Sequence, residues 1–464
     1  MIDGFVLHER LHQGGMANVW RVSRADGTES PNDMPLLMKL PRIMGGQDPA
    51  SIVGFEVEQM ILPMLKGPHV PAFIAKGDFT HQPYIVMEHI QGPTLRPRLE
   101  AVPVPLDEVR KVGICVAAAL HDLHRQHVVH LDVKPSNVLF RPDGQAVLID
   151  FGLARHDHLP DLLDEEFQLP MGTGPYISPE QVQFVRNDSR SDLFALGVML
   201  YHLTTGRRPF GQPTTMAGLR RRLYRDPTPP RALRADCPPW LQEVLLRCLE
   251  VQPERRYQSA AQVALDLQHP EQIPLSSRAE RLQGRGPLHA IKRWFSALGA
   301  EPATAAPSAT GQVQRNPILM AAVDIDGAAP PLLHALRDTI ARLLSSAPGA
   351  RLACVGVMRT ARLGMDVLTD EQGRSLHLKQ LIDLKHWARP IAQQASLDGG
   401  RLTFHVLEAP DPANALVEFA QRNEVDHIVI GARGSGALRR YLGSVSSKVV
   451  AESPCTVTVV RAPD

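Results

Sequence analysis

The stretch that decides the fold is 130-HLDVKPSNVLF-140. Asp132, Lys134 and Asn137 fall close together in an otherwise apolar segment, and all three are types that handle a metal-bound phosphate. A carboxylate can orient an attacking hydroxyl, an ammonium can sit beside a transferred phosphate, and an amide oxygen suits a hard cation. Phosphoryl transfer needs little covalent help from protein. It needs the phosphates held still, their charge neutralised and the nucleophile positioned. The residue just before Asp132 is Leu131, an apolar side chain amid polar machinery.

The other parts have candidates in order along the chain. In 11-LHQGGMANV-19, Gly14 and Gly15 lie between two strand-like runs, where small residues let backbone N–H groups approach phosphate oxygens. Alone, a Gly-Gly pair there is more often a plain hairpin. Lys39 ends the next strand and Glu58 lies on the following helix, placed to pair with it; as isolated residues both would be ordinary solvated surface. Asp150, in 148-LIDFG-152, supplies a second hard oxygen for magnesium. The common order of these features, rather than any one of them, makes the case.

Residues 1–268 thus resemble a bacterial, eukaryotic-type (Hanks-type) Ser/Thr protein kinase domain. The resemblance rests on the glycine loop, Lys39, Glu58, the loop at 130–137, the DFG triplet at 150–152 and 172-GTGPYISPE-180, together with Asp192 and Arg256. It implies an α+β bilobal fold, with a strand-rich lobe over about 1–90 and a helical lobe over 91–268. Asp132 would be the catalytic base, with Lys134 beside the phosphate and Asn137 and Asp150 as ligands of Mg2+. ATP would lie among Gly14, Gly15, Val19, Lys39, Glu58, Glu88, Ile90 and Leu139, with Met87 as gatekeeper and Glu88–Ile90 as hinge. Glu180 would pair with Arg256 to brace the helical lobe. Lys134 and Thr173 resemble the Ser/Thr-directed subclass, which implies protein Ser or Thr acceptors.

Several positions depart from the family pattern. His12 and Ala17 replace the outer glycines of the loop, Leu37 stands where a small alanine usually roofs the adenine, and Pro63 is expected to kink or end the Glu58 helix. At Leu131 most relatives carry an arginine that reads a phosphate on the activation loop. Leucine cannot do so, and residues 153–171 contain no Ser, Thr or Tyr. Both features predict a kinase that is not switched by activation-loop phosphorylation, being either constitutively competent or governed from elsewhere in the chain. The acidic residues Asp161, Asp164, Glu165 and Glu166 have no evident partner, and we expect a solvated loop there. His121, His124, His127 and His130 recur every three residues, but without a completing thiol or carboxylate a structural role, with His130 anchoring the loop, is the better reading than zinc.

The chain has 464 residues, too many for one ordinary core, and its net charge of +1 gives no case for nucleic acid or an acidic membrane. Five scattered cysteines with no C-x-x-C pair fit a reducing compartment. No export signal is read at the N-terminus, and the longest central apolar run, 112-VGICVAAAL-120, is far short of a bilayer span, so a cytoplasmic protein is expected. Residues 269–315 include 299-GAEPATAAPSATGQ-312, whose composition predicts a flexible tether.

Beyond the tether, short β-branched runs alternate with helical segments, which predicts a parallel sheet covered by helices. Residues 316–464 resemble a universal stress protein (UspA-like) domain, a doubly wound, Rossmann-like α/β fold. The resemblance rests on 318-ILMAAVD-324, 426-DHIVIGARGSG-436 and 442-LGSVSSKVVAESPCTVTVV-460. In part of that family the fold binds ATP, which points to Asp324, Gly431, Gly434, Gly443 and Ser444 as a second nucleotide site. Here eight residues, 435-SGALRRYL-442, separate Gly434 from Gly443 where the nucleotide-binding form has nine, so a dimerisation or sensing module is the competing reading. For the whole chain the competing reading is a pseudokinase scaffold; retention of Lys39, Glu58, Asp132, Asn137 and Asp150 argues against it. A small-molecule kinase is disfavoured because 172–180 resembles a shelf for an extended peptide.

Overall fold

The computed structural model describes residues 1–14, 17–27, 34–42, 49–167, 169–283, 316–347, 349–360, 369, 375–395, 397, 400–432 and 443–462. Gly15, Gly434 and residues 284–315 of the expected tether lie outside the described residues; its first part is no free tether, because Ile273 and Ala279 are buried against the helical lobe and Arg278 pairs with Glu243 and Glu250.

The period-two pattern of the first 90 residues becomes a five-stranded antiparallel sheet. Its strands are β1 (Phe5–Gln13), β2 (Ala17–Arg24), β3 (Leu36–Pro41), β4 (Phe73–Gly77) and β5 (Tyr84–Glu88), in the order β1-β2-β3-β5-β4. Successive side chains point to opposite faces. Val22, Leu36, Met38, Tyr84 and Val86 close a small core with Phe5 on one face. Val19 pairs with Lys39 and Leu37 with Met87, so Val19, Leu37, Lys39, Ile85 and Met87 share the other face, toward helix α1 (Pro49–Ile61) and the second lobe. Helix α1 stops one residue before Leu62, and a 3-10 turn carrying Pro63 follows it, because proline offers no backbone donor to continue the ladder.

The helical lobe is built on α2 (Leu106–His124). The short strands β6 (Val128–Val129), β7 (Val138–Phe140), β8 (Ala146–Leu148) and β9 (Arg155–His156) frame the 130–137 loop. Helices α3 (Leu162–Glu166), α4 (Arg190–Thr205), α5 (Pro239–Cys248) and α6 (Ala260–Gln268) follow. Helix α4 is buried on nearly every side, which explains its apolar composition all round.

Past residue 316 the order is β10 (Ile318–Ala322), α7 (Pro330–Ser346), β11 (Arg351–Arg359), α8 (Leu376–Gln394), β12 (Leu402–Ala409), α9 (Pro412–Arg422), β13 (His427–Gly431), α10 (Ser444–Glu452) and β14 (Thr456–Val460). The five strands are parallel in the order β12-β11-β10-β13-β14. Leu319, Leu352 and Cys354 pack with α7 and α8 on one face; Met320, Ala353, Val355 and Ile428 pack with α9 on the other. This is the doubly wound arrangement expected of strands that read as continuous apolar runs. No described helix is long and apolar enough to cross a membrane.

The two parts of the chain touch. One continuous apolar core takes in Leu162 and Leu163 of α3 together with Leu378 and Leu381 of α8. The edge strand β12 is straddled by the first domain, with α3 packed against it on the α9 side and α1 against α8 on the other.

Candidate active site

The 130–137 loop is held by a buried carboxylate. Asp192, at the start of α4, accepts hydrogen bonds from the backbone N–H of His130 and of Leu131, each at 2.9 Å, and lies 2.9 Å from Nε2 of His124. Leu131 adopts φ 61°, a left-handed conformation that costs a leucine energy. Its N–H is fixed by Asp192 and its carbonyl by Nε2 of Gln181 at 2.8 Å, so the surroundings impose the turn. The Leu131 side chain is buried, which gives the apolar residue a packing role. His130 is likewise buried, with Nε2 3.1 Å from the carbonyl of Ile149, and its ring packs against Phe151. Among the described residues no group of three or more His, Cys, Asp or Glu is arranged to hold a metal by itself.

That loop presents Asp132 and its neighbours. The amide of Asn137 donates to the carbonyl and carboxylate of Asp132, at 3.0 and 3.2 Å, which leaves its oxygen as the group suited to a cation. Lys134 Nζ lies 2.6 Å from Asp132 and 3.0 Å from Thr173 Oγ1, while the Thr173 hydroxyl donates to Asp132 at 2.7 Å. The N–H of Ile149 donates to the carbonyl of Asn137 at 3.0 Å, which ties the segment bearing Asp150 to the loop.

Across the cleft, Lys39 Nζ lies 2.5 Å from Glu58 and 2.9 Å from Asp150. Lys39 holds the Asp150 carboxyl below its usual range, against the effect of burial. Burial alone would lower the Lys39 pKa, but Asp150 and Glu58 outweigh it and the ammonium is held charged. Burial raises Glu58, so its ionised form depends on Lys39.

The predicted nucleotide-facing residues fall as follows. Val19, Leu37 and Leu139 are half-buried, and Ile90 is buried. The Glu88 carboxylate is committed to Arg141, with one contact at 2.8 Å, which leaves its backbone as the part able to meet a ligand. Gly14 caps the β1–β2 turn through an N–H bond to Ala17 at 3.0 Å. Glu180 and Arg256 form a buried pair, 2.6 Å from Nη2 to Oε2.

Three features escaped the sequence reading. Gly54 on α1 faces Gly152, and a Cβ at Gly54 would lie 3.0 Å from the Gly152 carbonyl, so two glycines let the helix and the DFG segment meet backbone to backbone. Gly92 meets the carbonyl of Phe140 so closely that an added Cβ would lie 1.8 Å from it. The third is a correction. The acidic cluster is solvated only at Asp164, which is exposed; the side chains of Glu165 and Glu166 are buried between the domains. The Glu165 carboxylate accepts from both terminal nitrogens of Arg351, at 2.6 and 2.5 Å, and lies 3.2 Å from His405, while its carbonyl accepts from Arg422. Glu166 lies 3.5 Å from His377 and 3.7 Å from His405, and Asp161 pairs with Arg186 at 2.8 Å. The partners are some 190 to 260 residues away or on the flanking lobe, where no local pattern announces them.

In the second domain, Asp324, Gly431, Gly443 and Ser444 come together with Ala322 and Arg359 around a cavity of about 460 Å³ at the carboxyl ends of the strands. Asp324 Oδ1 accepts from the N–H of Gly327 at 3.0 Å.

Residues 51–269 match the family model described as protein kinase domain, and residues 316–461 match that of the universal stress protein family. The chain is 32% identical to the serine/threonine-protein kinase PknB of Mycolicibacterium smegmatis, over 66% of this chain and 48% of that one. It is 31% identical to the serine/threonine-protein kinase PknL of Mycobacterium tuberculosis, over 57% of this chain and 65% of that one. It is 32% identical to the tyrosine-protein kinase MasK of Myxococcus xanthus, over 55% of this chain and 41% of that one. The chain thus spans between about two fifths and two thirds of the length of these relatives. The kinase family implies ATP and a divalent cation as companions of the cleft. By its motifs, its two lobes and these matches, the chain joins a protein kinase domain, similar to those of bacterial serine/threonine-protein kinases, to a C-terminal universal stress protein domain.

Proposed function

We propose that the chain transfers the γ-phosphoryl group of ATP to Ser or Thr hydroxyls of proteins, with Mg2+ as the cation. The observation that carries this reading is the convergence of the Asp132–Asn137 loop with Asp150, which is itself paired to the Lys39–Glu58 bridge. Asp132 orients the acceptor hydroxyl, a geometry already sampled by the Thr173 hydroxyl 2.7 Å from its carboxylate. Lys134 steadies the transferred phosphate, and Lys39, fixed by Glu58, the remaining phosphates. The oxygens of Asn137 and Asp150 suit Mg2+, whose other ligands would be phosphates and water. Magnesium supplies charge neutralisation on the phosphates when bound. Gly14, Gly15, Val19, Leu139 and the backbone of Glu88 and Ile90 would enclose the nucleotide.

We take 1–268 as the kinase domain, extended by the packed residues 270–281, the rest of 269–315 as tether and 316–464 as the second domain, and we place the protein in the cytoplasm, in keeping with five unpaired cysteines. For the C-terminal domain we propose a second nucleotide in the Asp324–Gly443 cavity, with homodimerisation as the competing role. Binding of labelled ATP to the kinase-dead chain, compared with its Asp324→Ala version, tests the former.

Transfer of labelled phosphate from ATP and Mg2+ to a generic protein substrate tests the activity itself. Asp132→Asn should lower turnover by about 100- to 10,000-fold, the usual loss on removing a general base. Equal signal from both proteins would refute the reading.

A further inference from the structure

The groups that bury Glu165 and Glu166 come from the C-terminal domain, as does the group that meets helix α1. Lys385 of α8 pairs with Glu56, two residues from the Glu58 that holds Lys39, and its ammonium lies 4.7 Å from the ring of Phe79 and 5.1 Å from that of Phe404. It therefore sits between an aromatic ring of the small lobe and one of β12. Arg351 and His405 lie on the β11 and β12 faces, beside α9, and grip α3 within the activation segment. One edge of the second domain thus holds the two elements whose positions decide whether a kinase cleft is assembled.

An activation-loop phosphate works by giving arginine side chains an anion to pair with, which orders the loop. Here the anion is a carboxylate already in the chain, and the bidentate arginine that meets it is Arg351. The kinase domain's own position for such a reader holds the buried Leu131, and residues 153–171 offer no hydroxyl to modify. Desolvated ion pairs of this kind contribute more to register than to net stability, because removing water from each charge offsets most of the attraction.

We propose that Arg351, His405 and Lys385 are positioning residues for phosphoryl transfer: the C-terminal domain, docked by its β12 edge, holds α1 and the activation segment in the productive arrangement and replaces activation-loop phosphorylation. The proposal rests on the kinase activity proposed above. It deepens that reading by naming what sets the active state.

The test uses the full chain. Lys385→Glu and Arg351→Gln should each lower turnover about 5- to 150-fold, the usual range of coupling between sites. Lys385→Glu should act on kcat, through α1, and Arg351→Gln should also raise KM for the protein substrate, through the activation segment. Hydrogen exchange should rise in residues 49–61 and 162–167 in both. The charge exchange Glu56→Lys with Lys385→Glu should restore most of the kcat and the protection. The milder Lys385→Met serves if charge reversal prevents folding. Wild-type turnover and exchange in folded Lys385→Met and Arg351→Gln would overturn the proposal, as would loss of turnover without rescue in the exchanged pair. An inactive wild type, matching Asp132→Asn, would instead refute the underlying activity.

Discussion

Glu56 and Glu58 stand two residues apart on helix α1 and serve different domains: Glu58 meets Lys39 in the cleft, and Glu56 meets Lys385 of the C-terminal domain. At about 100° per residue, two steps turn the side chains to nearly opposite sides of the helix. A rotation of α1 that broke one pair would strain the other, so the helix has a single seating that satisfies both.

The cleft pair can be separated into stability and activity. In Lys39→Met the buried Glu58 loses its cation, while Asp150, about two fifths exposed, can turn to water; unfolding free energy should fall by about 3 kcal/mol, measured by denaturant titration. Adding Glu58→Gln should recover much of that stability and none of the phosphotransfer.

Gly92 offers a steric test. A methyl at this position would collide with the Phe140 carbonyl, which belongs to the β7–β8 hairpin and has no flexible side chain to yield. Gly92→Ala should cost about 1–3 kcal/mol in stability, and it should weaken ATP binding because the segment after Ile90 is pushed from its seat. Calorimetry of nucleotide binding would read the second effect.

Phosphatase treatment should leave turnover unchanged, because no acceptor lies between Leu153 and Met171 and no arginine stands at position 131 to read one. Intact-mass and activity measurements before and after treatment check this. Activity that fell in step with phosphate lost from Thr173 would contradict it.

Docking of the C-terminal domain should depend on pH in a defined direction. His405 is opposed by burial, yet Glu165 and Glu166 hold its pKa above the ordinary 6.5, so its contribution is complete below that value and is lost as pH rises through the raised one. Glu165 is also opposed by burial, but His405 and Arg351 hold it down to about 2 from an ordinary 4.5. Its contribution is present above 4.5 and is lost as pH falls toward 2. Arg351 and Arg422 complete the ring around Glu165, Thr403 accepts from Arg351, and His377 bridges Glu166 and Glu408 at 3.5 and 3.4 Å. Exchange protection of residues 162–167 should therefore be strongest at mildly acidic pH and decline on the alkaline side. In His405→Gln the alkaline decline should disappear.

The linear sequence was sufficient for the elements and their chemistry. The strand-like runs of the first 90 residues were legible because strand geometry is local, and the order of Lys39, Glu58, Asp132, Asn137 and Asp150 identified the cleft because each motif carries its own turn or strand; that Val19, Leu37 and Lys39 share one sheet face was set by strand register. Leu131 was visible as a departure, yet its buried packing and left-handed backbone were not, since both are imposed by Asp192 and Gln181. What only the tertiary structure decided is the fate of charge. Glu165 and Glu166 read as solvated acids because nothing near them in sequence neutralises them, and Glu56 carried no signal of its own. Their partners, Lys385, Arg351, His405 and His377, become neighbours only when the β12 edge of the C-terminal domain docks, and ion pairing depends on distance in space, on which sequence separation has no bearing.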